Sequence, residues 1–209
     1  MKFPTRGLYA ITQTEGKSAE TILQEVSSAI QGGVHVIQYR NKQNTDVFTL
    51  AKALQSLCNR HKIPFIINDD VELAASVKAD GVHLGQHDGS IAWARKQLGA
   101  KAIIGQSCYD DVELAKKAQS EGANYVAFGR FFPSNSKPLA LPAHQETLLL
   151  AKKTIQVPIV AIGGILPENG QALLASGADV LAVIGGIFDH DPASSARHYQ
   201  KLFVSSSTQ

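Results

Sequence analysis

Four segments of this sequence share one pattern, in which a helix-like stretch ends on glycine and leads within a few residues into an apolar, β-rich run. The four junctions read QGGVHVIQY, KADGVHLG, SEGANYVAFG and ASGADVLAVIG. Glycine at such a junction is typical of the left-handed residue that ends a helix. Helices that pass at once into buried strands, several times over, indicate an α/β architecture.

The remaining apolar runs complete a set of eight strands. Three of them, IPFIIN, AKAIIGQS and VPIVAIGG, follow short polar or proline-containing connectors, and GLYAIT opens the chain. Helical patterns fill the intervals, at about 18–31, 45–61, 71–78, 90–98, 110–120, 143–154, 168–176 and 192–204, with Thr45, Asp70 and Asp110 as predicted N-caps.

Strict alternation of such elements predicts a parallel sheet that is covered by helices. Because the strands are almost continuously apolar, we expect one (β/α)8 TIM barrel over residues 1–209, with a short flexible tail from about residue 204. A length of 209 residues is near the lower limit for this fold, so a doubly wound open sheet is the structural alternative.

Composition narrows the class of protein. The net charge is +2, and the basic residues are scattered, which predicts no nucleic-acid partner. The N-terminus MKFPTRGLYAIT predicts neither a signal peptide nor a membrane span. Two cysteines, Cys58 and Cys108, fit no metal or disulfide spacing. We therefore expect a cytoplasmic protein that acts on small molecules, with no membrane partner and an oligomeric state that the sequence does not specify.

A barrel collects its chemistry where the strands end, and two carboxylates occupy such positions on neighbouring strands. Asp69 follows the third strand and Asp88 the fourth. Two like charges at short range repel unless a cation lies between them, and hard oxygen ligands in small number favour Mg²⁺. Three cations, Arg40, Lys42 and Lys137, also follow strands and match the oxygens of a diphosphate. This set predicts a pyrophosphate site.

Glycine pairs follow the last two strands, in AIGGI and VIGGI. In eight-stranded barrels the loops after strands seven and eight commonly bind a monophosphate through backbone N–H groups. The same face of the barrel is therefore predicted to hold two anions, one with a metal and one without.

Six motifs, QYRNK, INDD, GVHLGQHD, IGQSCYD, FGRFFPSNSKP and AIGGI, resemble in this order those of the thiamine-phosphate synthase family. The resemblance runs from Gly7 to about Phe188. It implies a transferase that joins a pyrimidinylmethyl diphosphate to a thiazole phosphate and releases pyrophosphate with Mg²⁺ as cofactor.

The resemblance also implies roles for individual residues. Asp69 and Asp88 are the implied metal ligands, and Arg40, Lys42 and Lys137 the implied catalytic residues. The pyrimidine diphosphate would be held by Gln38, Arg40, Lys42, Asn68, Ser107 and Lys137, and the thiazole phosphate by Ser134, Ser136, Gly164, Ile184 and Gly185. Tyr39, Asn41 and Asn135 complete the predicted substrate-binding set.

The chain departs from the family pattern at several positions. Asn41 replaces a glutamate, Arg130 a proline, and His87 an acidic residue, while Gly185 stands where a serine is frequent and Ser134 and Ser136 where threonines are usual.

Three other functions stay open at this stage. One is a thiazole tautomerase of the same family, and another is a binding protein for thiamine precursors without turnover. The third is a Schiff-base lyase that uses Lys42 or Lys137.

Overall fold

Eight parallel strands close into one barrel. The computed structural model describes residues 1–41, 47–133 and 141–204. The strands are Gly7–Ile11 (β1), Val36–Tyr39 (β2), Phe65–Asn68 (β3), Gly81–Leu84 (β4), Ile103–Tyr109 (β5), Tyr125–Phe128 (β6), Ile159–Ile162 (β7) and Val180–Val183 (β8). Each strand pairs in parallel with the next, and β8 pairs with β1, so the barrel has no open edge. The prediction of a (β/α)8 barrel is confirmed, and the open sheet is excluded.

The helices alternate with the strands as the sequence predicts. They are Ala19–Gln31 (α1), Val47–Arg60 (α2), Val71–Val77 (α3), Ile91–Leu98 (α4), Val112–Ser120 (α5), Gln145–Thr154 (α6), Pro167–Ala175 (α7), Gly185–Phe188 (α8) and Pro192–Val204 (α9). Helix α8 was not predicted, because four residues are too few for a periodic pattern. Within the described ranges, none of the helices is long and apolar enough to cross a membrane. The predicted cap Thr45 and the tail from residue 205 lie outside those ranges.

Side-chain alternation along each strand divides the core into two layers. In β1, Leu8 and Ala10 face the helices and belong to the outer layer, whereas Tyr9 and Ile11 face into the barrel. Phe3, which precedes β1, packs against the inward residues. The inner layer thus fills the lower part of the barrel and leaves its upper end to the loops.

Two of the predicted helix caps can be compared with the structure. Asp70 caps α3, because its side chain accepts a hydrogen bond from Leu73 N at 2.8 Å. At α5 the predicted cap, Asp110, is wrong by one residue. Asp111 caps that helix and accepts from the backbone N–H groups of Glu113 and Leu114. The sequence offers adjacent aspartates there, and helix register alone decides which one is the cap.

Candidate active site

A cavity of about 580 Å³ opens where the carboxyl ends of the strands meet. Active sites of (β/α)8 barrel enzymes lie at this end of the strands. One arc of its wall comes from β2, β3 and β4 and carries Arg40, Asp69 and Asp88. The opposite arc follows β7 and β8 and consists largely of glycine backbone. Charged side chains and exposed peptide groups therefore face each other across one space.

Asp69 is turned into this cavity by its own backbone. Its φ of 66° lies in the left-handed region, which Asp tolerates better than most residues. The backbone is held by a bond from Asp69 N to His83 O at 2.8 Å. Oδ2 accepts a bond from Asn68 Nδ2 at 2.6 Å. The sharp turn separates two consecutive carboxylates, so that Asp69 lines the cavity while Asp70 caps a helix.

Asp88 is held by the backbone at the end of β4. Its Oδ2 accepts a hydrogen bond from Gly85 N at 2.8 Å. A side chain at Gly85 would place its Cβ 2.5 Å from the same oxygen, so the carboxylate can fold back over this residue only because it is glycine. The glycine of the GQHD motif therefore orients a predicted metal ligand.

Arg40 supplies the described cation on this arc. Its backbone is fixed by Thr12, whose Oγ1 accepts from Arg40 N at 3.0 Å. Burial lowers the pKa of Arg40, and the nearby charge of Asp69 opposes that shift. The guanidinium stays charged at neutral pH. A cation beside two carboxylates suits a ligand that brings both negative oxygens and a metal ion.

The donor types on this arc suit Mg²⁺. Among the described residues, no group of three or more His, Cys, Asp or Glu side chains could hold a metal ion. Asp69 and Asp88 offer hard oxygens from two neighbouring strands. Mg²⁺ is commonly bound by one or two carboxylates together with substrate phosphates and water. The two aspartates meet that description.

Two glycines of the opposite arc, Gly163 and Gly164, are needed for loop packing as well as for the predicted anion binding. A side chain at Gly163 would collide with Arg130, and one at Gly164 with Pro133 O. The segment after β6 lies directly on this loop, with Phe132 N bonded to Gly163 O at 3.0 Å. These glycines are thus needed partly because the segment after β6 packs on them. The sequence pattern explained them by anion binding alone.

The structure brings most of the predicted site residues together. The described ones that line the cavity are Gln38, Arg40, Asn68, Asp69, Asp88, Ser107, Gly164, Ile184 and Gly185. Five others, Lys42, Ser134, Asn135, Ser136 and Lys137, lie outside the described residues.

Tyr39 and Asn41 were predicted to bind substrate but do not line the cavity. Tyr39 is 1% exposed and packs in the outer layer, because consecutive residues of a strand face opposite sides. Asn41 Nδ2 donates a hydrogen bond to the Tyr39 hydroxyl at 2.9 Å. Both side chains thus lie outside the cavity lining, and their contact with substrate stays a prediction.

Comparison with known proteins decides the family. The family model of thiamine monophosphate synthase matches residues 8–187, which is most of the chain. The chain belongs to this family. The family predicted from the six motifs is thus confirmed.

Close relatives match over nearly their full length. The chain is 48% identical to a thiamine-phosphate synthase of Nitrosococcus oceani, covering 98% of this chain and 96% of the relative. It is 47% identical to a thiamine-phosphate synthase of Methylococcus capsulatus, covering 97% and 92%. A solved thiamine phosphate pyrophosphorylase of Pyrococcus furiosus superposes with a TM-score of 0.86 at 31% identity, covering 96% of both chains. The barrel is therefore the fold of this family.

Several cavity residues were not predicted as site residues from the sequence. Tyr9, His83 and Tyr125 line the lower wall. Gln13 also lines the cavity, and its buried Oε1 accepts no hydrogen bond from the part of the chain that the structure describes. Arg130, noted only as a departure from the family pattern, adds a cation to the wall after β6. Inward tyrosines look like core residues in a sequence, so only their position in the closed barrel reveals them.

Cys108 lies next to the cavity residue Ser107 but is fully buried in the outer layer. Burial raises the pKa of its thiol to about 12. A thiol of that kind stays protonated at neutral pH, and a protonated thiol is a poor nucleophile. Cys108 is therefore a packing residue.

Asp110 anchors the segment that returns from the loop after β6. Its Oδ1 accepts bonds from His144 N at 2.9 Å and Thr147 Oγ1 at 2.5 Å. Its Oδ2 lies 2.7 Å from His144 Nδ1. At the base of the same loop, Ala143 N donates to Arg130 O at 2.7 Å. These contacts fix the chain at Ala143 and the start of α6.

The anchor predicts a pH dependence of stability. Partial burial raises the pKa of Asp110, but hydrogen bonds from Thr147 and His144 outweigh it, so the pKa is lowered. The bond to Asp110 and its charge raise the pKa of His144. A carboxyl group whose pKa is lowered by folding stabilises the fold at pH values above its unfolded-state pKa, and this contribution is lost in acid. A histidine whose pKa is raised by folding stabilises the fold at pH values below its unfolded-state pKa, and this contribution is lost in base.

We therefore expect Asp110→Asn to lower the melting temperature most between pH 3.8 and 6.5, the ordinary values of the two groups. The difference from the wild type should shrink above this window as His144 loses its proton. Thermal unfolding followed by circular dichroism from pH 4 to 9 measures it. The control is Asp111→Asn, which keeps a capping side chain. A loss from Asp110→Asn that is constant across the range would contradict the charged pair.

Proposed function

We propose that this protein transfers the 4-amino-2-methylpyrimidin-5-ylmethyl group from its diphosphate to the nitrogen of a thiazole phosphate, giving thiamine phosphate and pyrophosphate with Mg²⁺. The relatives and the solved neighbour confirm the predicted class, a transferase of the thiamine-phosphate synthase type. The identity of the two substrates, the metal and a cytoplasmic location are the proposal's own additions.

One observation carries the proposal, which is that two different anion-binding surfaces share one cavity. The arc after β2, β3 and β4 combines Arg40 with Asp69 and Asp88. The arc after β7 and β8 offers backbone at Gly164 and Gly185. A diphosphate with its metal suits the first, and a monophosphate the second. A cavity of about 580 Å³ has the size of a site for small organic molecules.

In this proposal Asp69 and Asp88 hold the metal. When bound, Mg²⁺ supplies positive charge to the oxygens of the diphosphate. Asn68 keeps Asp69 oriented through its 2.6 Å bond, and Gly85 N does the same for Asp88. Loss of an orienting group of this kind typically costs about 10- to 100-fold in metal affinity or activity.

Cations of the chain bind the leaving group. Arg40 lies in the cavity wall, and Lys42 and Lys137 are assigned to the same role from the sequence. Their charge stabilises the negative charge that develops as pyrophosphate departs. The electron-rich pyrimidine supports the positive methylene group, and the thiazole nitrogen captures it with a lone pair that is already free. The proposal therefore needs no general base from the protein.

The remaining contribution of the barrel is position. Gln38 and Ser107 would hold the pyrimidine diphosphate, and Gly164, Ile184 and Gly185 the thiazole phosphate, with Ser134 and Ser136 from the loop after β6. Holding both partners in line removes much of the entropic cost of bringing them together. The cavity also keeps water from the reactive methylene group.

Three rivals remain distinguishable. A tautomerase needs neither a diphosphate site nor a metal, whereas Arg40, Asp69 and Asp88 share one arc here. The described residues that line the cavity include no lysine, so a Schiff-base lyase would depend on Lys42 or Lys137. Borohydride trapping with a carbonyl substrate would reveal that lyase. A precursor-binding protein would retain both ligands without turnover.

The deciding experiment is product formation by the purified protein. Incubation with the pyrimidine diphosphate, the thiazole phosphate and Mg²⁺ is expected to give thiamine phosphate, identified by chromatography and mass. Omission of either substrate should abolish it. Binding of both ligands without product would overturn the proposed reaction in favour of a binding protein.

The two anion sites predict different responses to loop substitutions. Ser134→Ala and Ser136→Ala are expected to raise the KM for the thiazole phosphate by about 2- to 10-fold, the loss of one neutral hydrogen bond. The KM for the pyrimidine diphosphate should change much less. Initial rates with each substrate varied in turn provide the measurement. The opposite pattern would mean that the two substrates are assigned to the wrong arcs.

A further inference from the structure

A chain of hydrogen bonds crosses the inside of the barrel below the predicted substrates. Gln38 Nε2 donates to the Tyr9 hydroxyl at 2.7 Å, which lies 2.9 Å from the Tyr125 hydroxyl. Tyr125 lies 3.0 Å from His83 Nδ1, and His83 Nε2 lies 2.9 Å from Ser107 Oγ. The five side chains come from five strands and all line the cavity.

The Gln38 amide favours one direction for this chain, in which each buried hydroxyl proton has an acceptor among the described side chains. A phenol has one proton to donate. Because the Tyr9 hydroxyl accepts from Gln38, its own proton is available for Tyr125. Tyr125 then has its proton available for His83 Nδ1. A ring nitrogen that accepts a hydrogen bond carries no proton, so the proton of the neutral imidazole is on Nε2. That nitrogen therefore donates to Ser107 Oγ.

We propose that His83 is a positioning residue, fixed by Tyr9 and Tyr125 as the Nε2–H tautomer, which makes Ser107 an obligatory donor to the bound substrate. With His83 Nε2–H as its donor, the Ser107 hydroxyl keeps its own hydrogen for an acceptor, which a substrate bound in the cavity supplies. A ring nitrogen or phosphate oxygen of the diphosphate substrate would accept it. The identity of that substrate rests on the proposed function, whereas the direction of the chain does not.

The surroundings of the two tyrosines favour such a fixed chain. Tyr9 is 1% exposed and Tyr125 fully buried. Burial raises the pKa of both phenols, so both keep the proton that the chain requires. The Tyr125 ring is stacked on Phe3 with centroids 3.9 Å apart. A side chain at Gly105 would collide with the same ring. Tyr125 therefore has little freedom to turn its hydroxyl towards another partner.

Nitrogen NMR tests the tautomer without any substrate. In the full-length protein labelled with ¹⁵N-histidine, the His83 signals are assigned by their loss in His83→Gln. We expect a protonated Nε2 and an unprotonated Nδ1. In Tyr125→Phe, Nδ1 loses its donor, and its signal should move towards the average of the two tautomers. The control Tyr199→Phe removes a buried hydroxyl that donates to Ile165 O at 2.9 Å, and it should leave His83 unchanged.

Kinetics test whether the chain acts through Ser107. Tyr125→Phe is expected to raise the KM for the pyrimidine diphosphate by about 10-fold, with a smaller effect on kcat. Ser107→Ala should cost a similar factor, and the double variant little more than either single one, because both remove the same hydrogen bond. Melting curves of all variants identify any that fail to fold.

A proton on Nδ1 of the wild-type His83 would overturn the proposal, because the chain would then run from Ser107 towards Gln38. Strictly multiplicative effects of Tyr125→Phe and Ser107→Ala would overturn it as well. The NMR result stands even if the protein makes no thiamine phosphate. The experiments therefore distinguish a wrong direction of the hydrogen-bond chain from a wrong assignment of the reaction.

Discussion

Replacing Asp69 or Asp88 by asparagine is expected to lower the turnover number by about 10²-fold or more, the scale of losing one essential electrostatic contact. Both carboxylates line the cavity at the ends of neighbouring strands. A neutral amide coordinates Mg²⁺ more weakly than a carboxylate. The amide oxygen can still accept the orienting bond from Asn68 or Gly85, so the fold should persist. Steady-state rates at saturating substrates, measured over a range of Mg²⁺ concentrations, provide the test.

Asp70 provides a matched control one residue away. Its carboxylate caps α3 through Leu73 N, and it is not part of the cavity lining. Asparagine is as good a cap as aspartate, so Asp70→Asn should keep both stability and turnover close to those of the wild type. Equal losses from Asp69→Asn and Asp70→Asn would contradict the separate roles. Full activity of Asp69→Asn would contradict the metal site itself.

Lys137→Ala is expected to lower kcat by about 10²-fold and to weaken diphosphate binding much less. Lys137 lies outside the described residues, but the segment that carries it leaves the cavity wall at Pro133. It returns at Ala143, which is bonded to Arg130 O. A lysine ammonium is a point charge on a flexible side chain, which suits contact with the leaving oxygens, where charge forms only as the bond breaks.

Single-turnover rates at saturating substrates are the appropriate measurement, because they exclude product release. Lys137→Arg should recover little activity, since the planar guanidinium is longer and differently aimed. The neighbouring Ser136→Ala serves as a control from the same loop. It is expected to change the KM for the thiazole phosphate rather than the rate of the chemical step. Normal chemistry in Lys137→Ala, with only a raised requirement for diphosphate, would show that the lysine contributes uniform binding.

The fold was predictable because its signals are local and repeated. A left-handed glycine follows α1, α5 and α7 and leads into an apolar strand, as predicted. The prediction is wrong at the fourth such junction, because α3 ends on Lys78, with a φ of 57°, and Gly81 already belongs to β4. Closure into a barrel then brings the ends of all eight strands to one face. For that reason Arg40, Asp69 and Asp88 were recognisable as one cluster from their positions after strands alone.

The cavity residues that were not predicted from the sequence depend on geometry inside the barrel. Tyr9 and Tyr125 are far apart in sequence, and each reads as an ordinary core residue. Their hydroxyls meet at 2.9 Å only because β1 and β6 face each other across the closed sheet. The alternation of side chains along β2 also turns Tyr39 away from the cavity, although its neighbour Gln38 lines it. Membership of the same sequence motif does not show which face of the strand a side chain is on.

Pyrophosphate release measured together with product tests the central claim most directly. A coupled assay with both substrates is run with Mg²⁺ and with the metal removed by a chelator, on the wild type and on Asp69→Asn. We expect one pyrophosphate for each thiamine phosphate, release only when both substrates and Mg²⁺ are present, and a large loss in the variant. Full product formation without a divalent cation, or product without stoichiometric pyrophosphate, would contradict it.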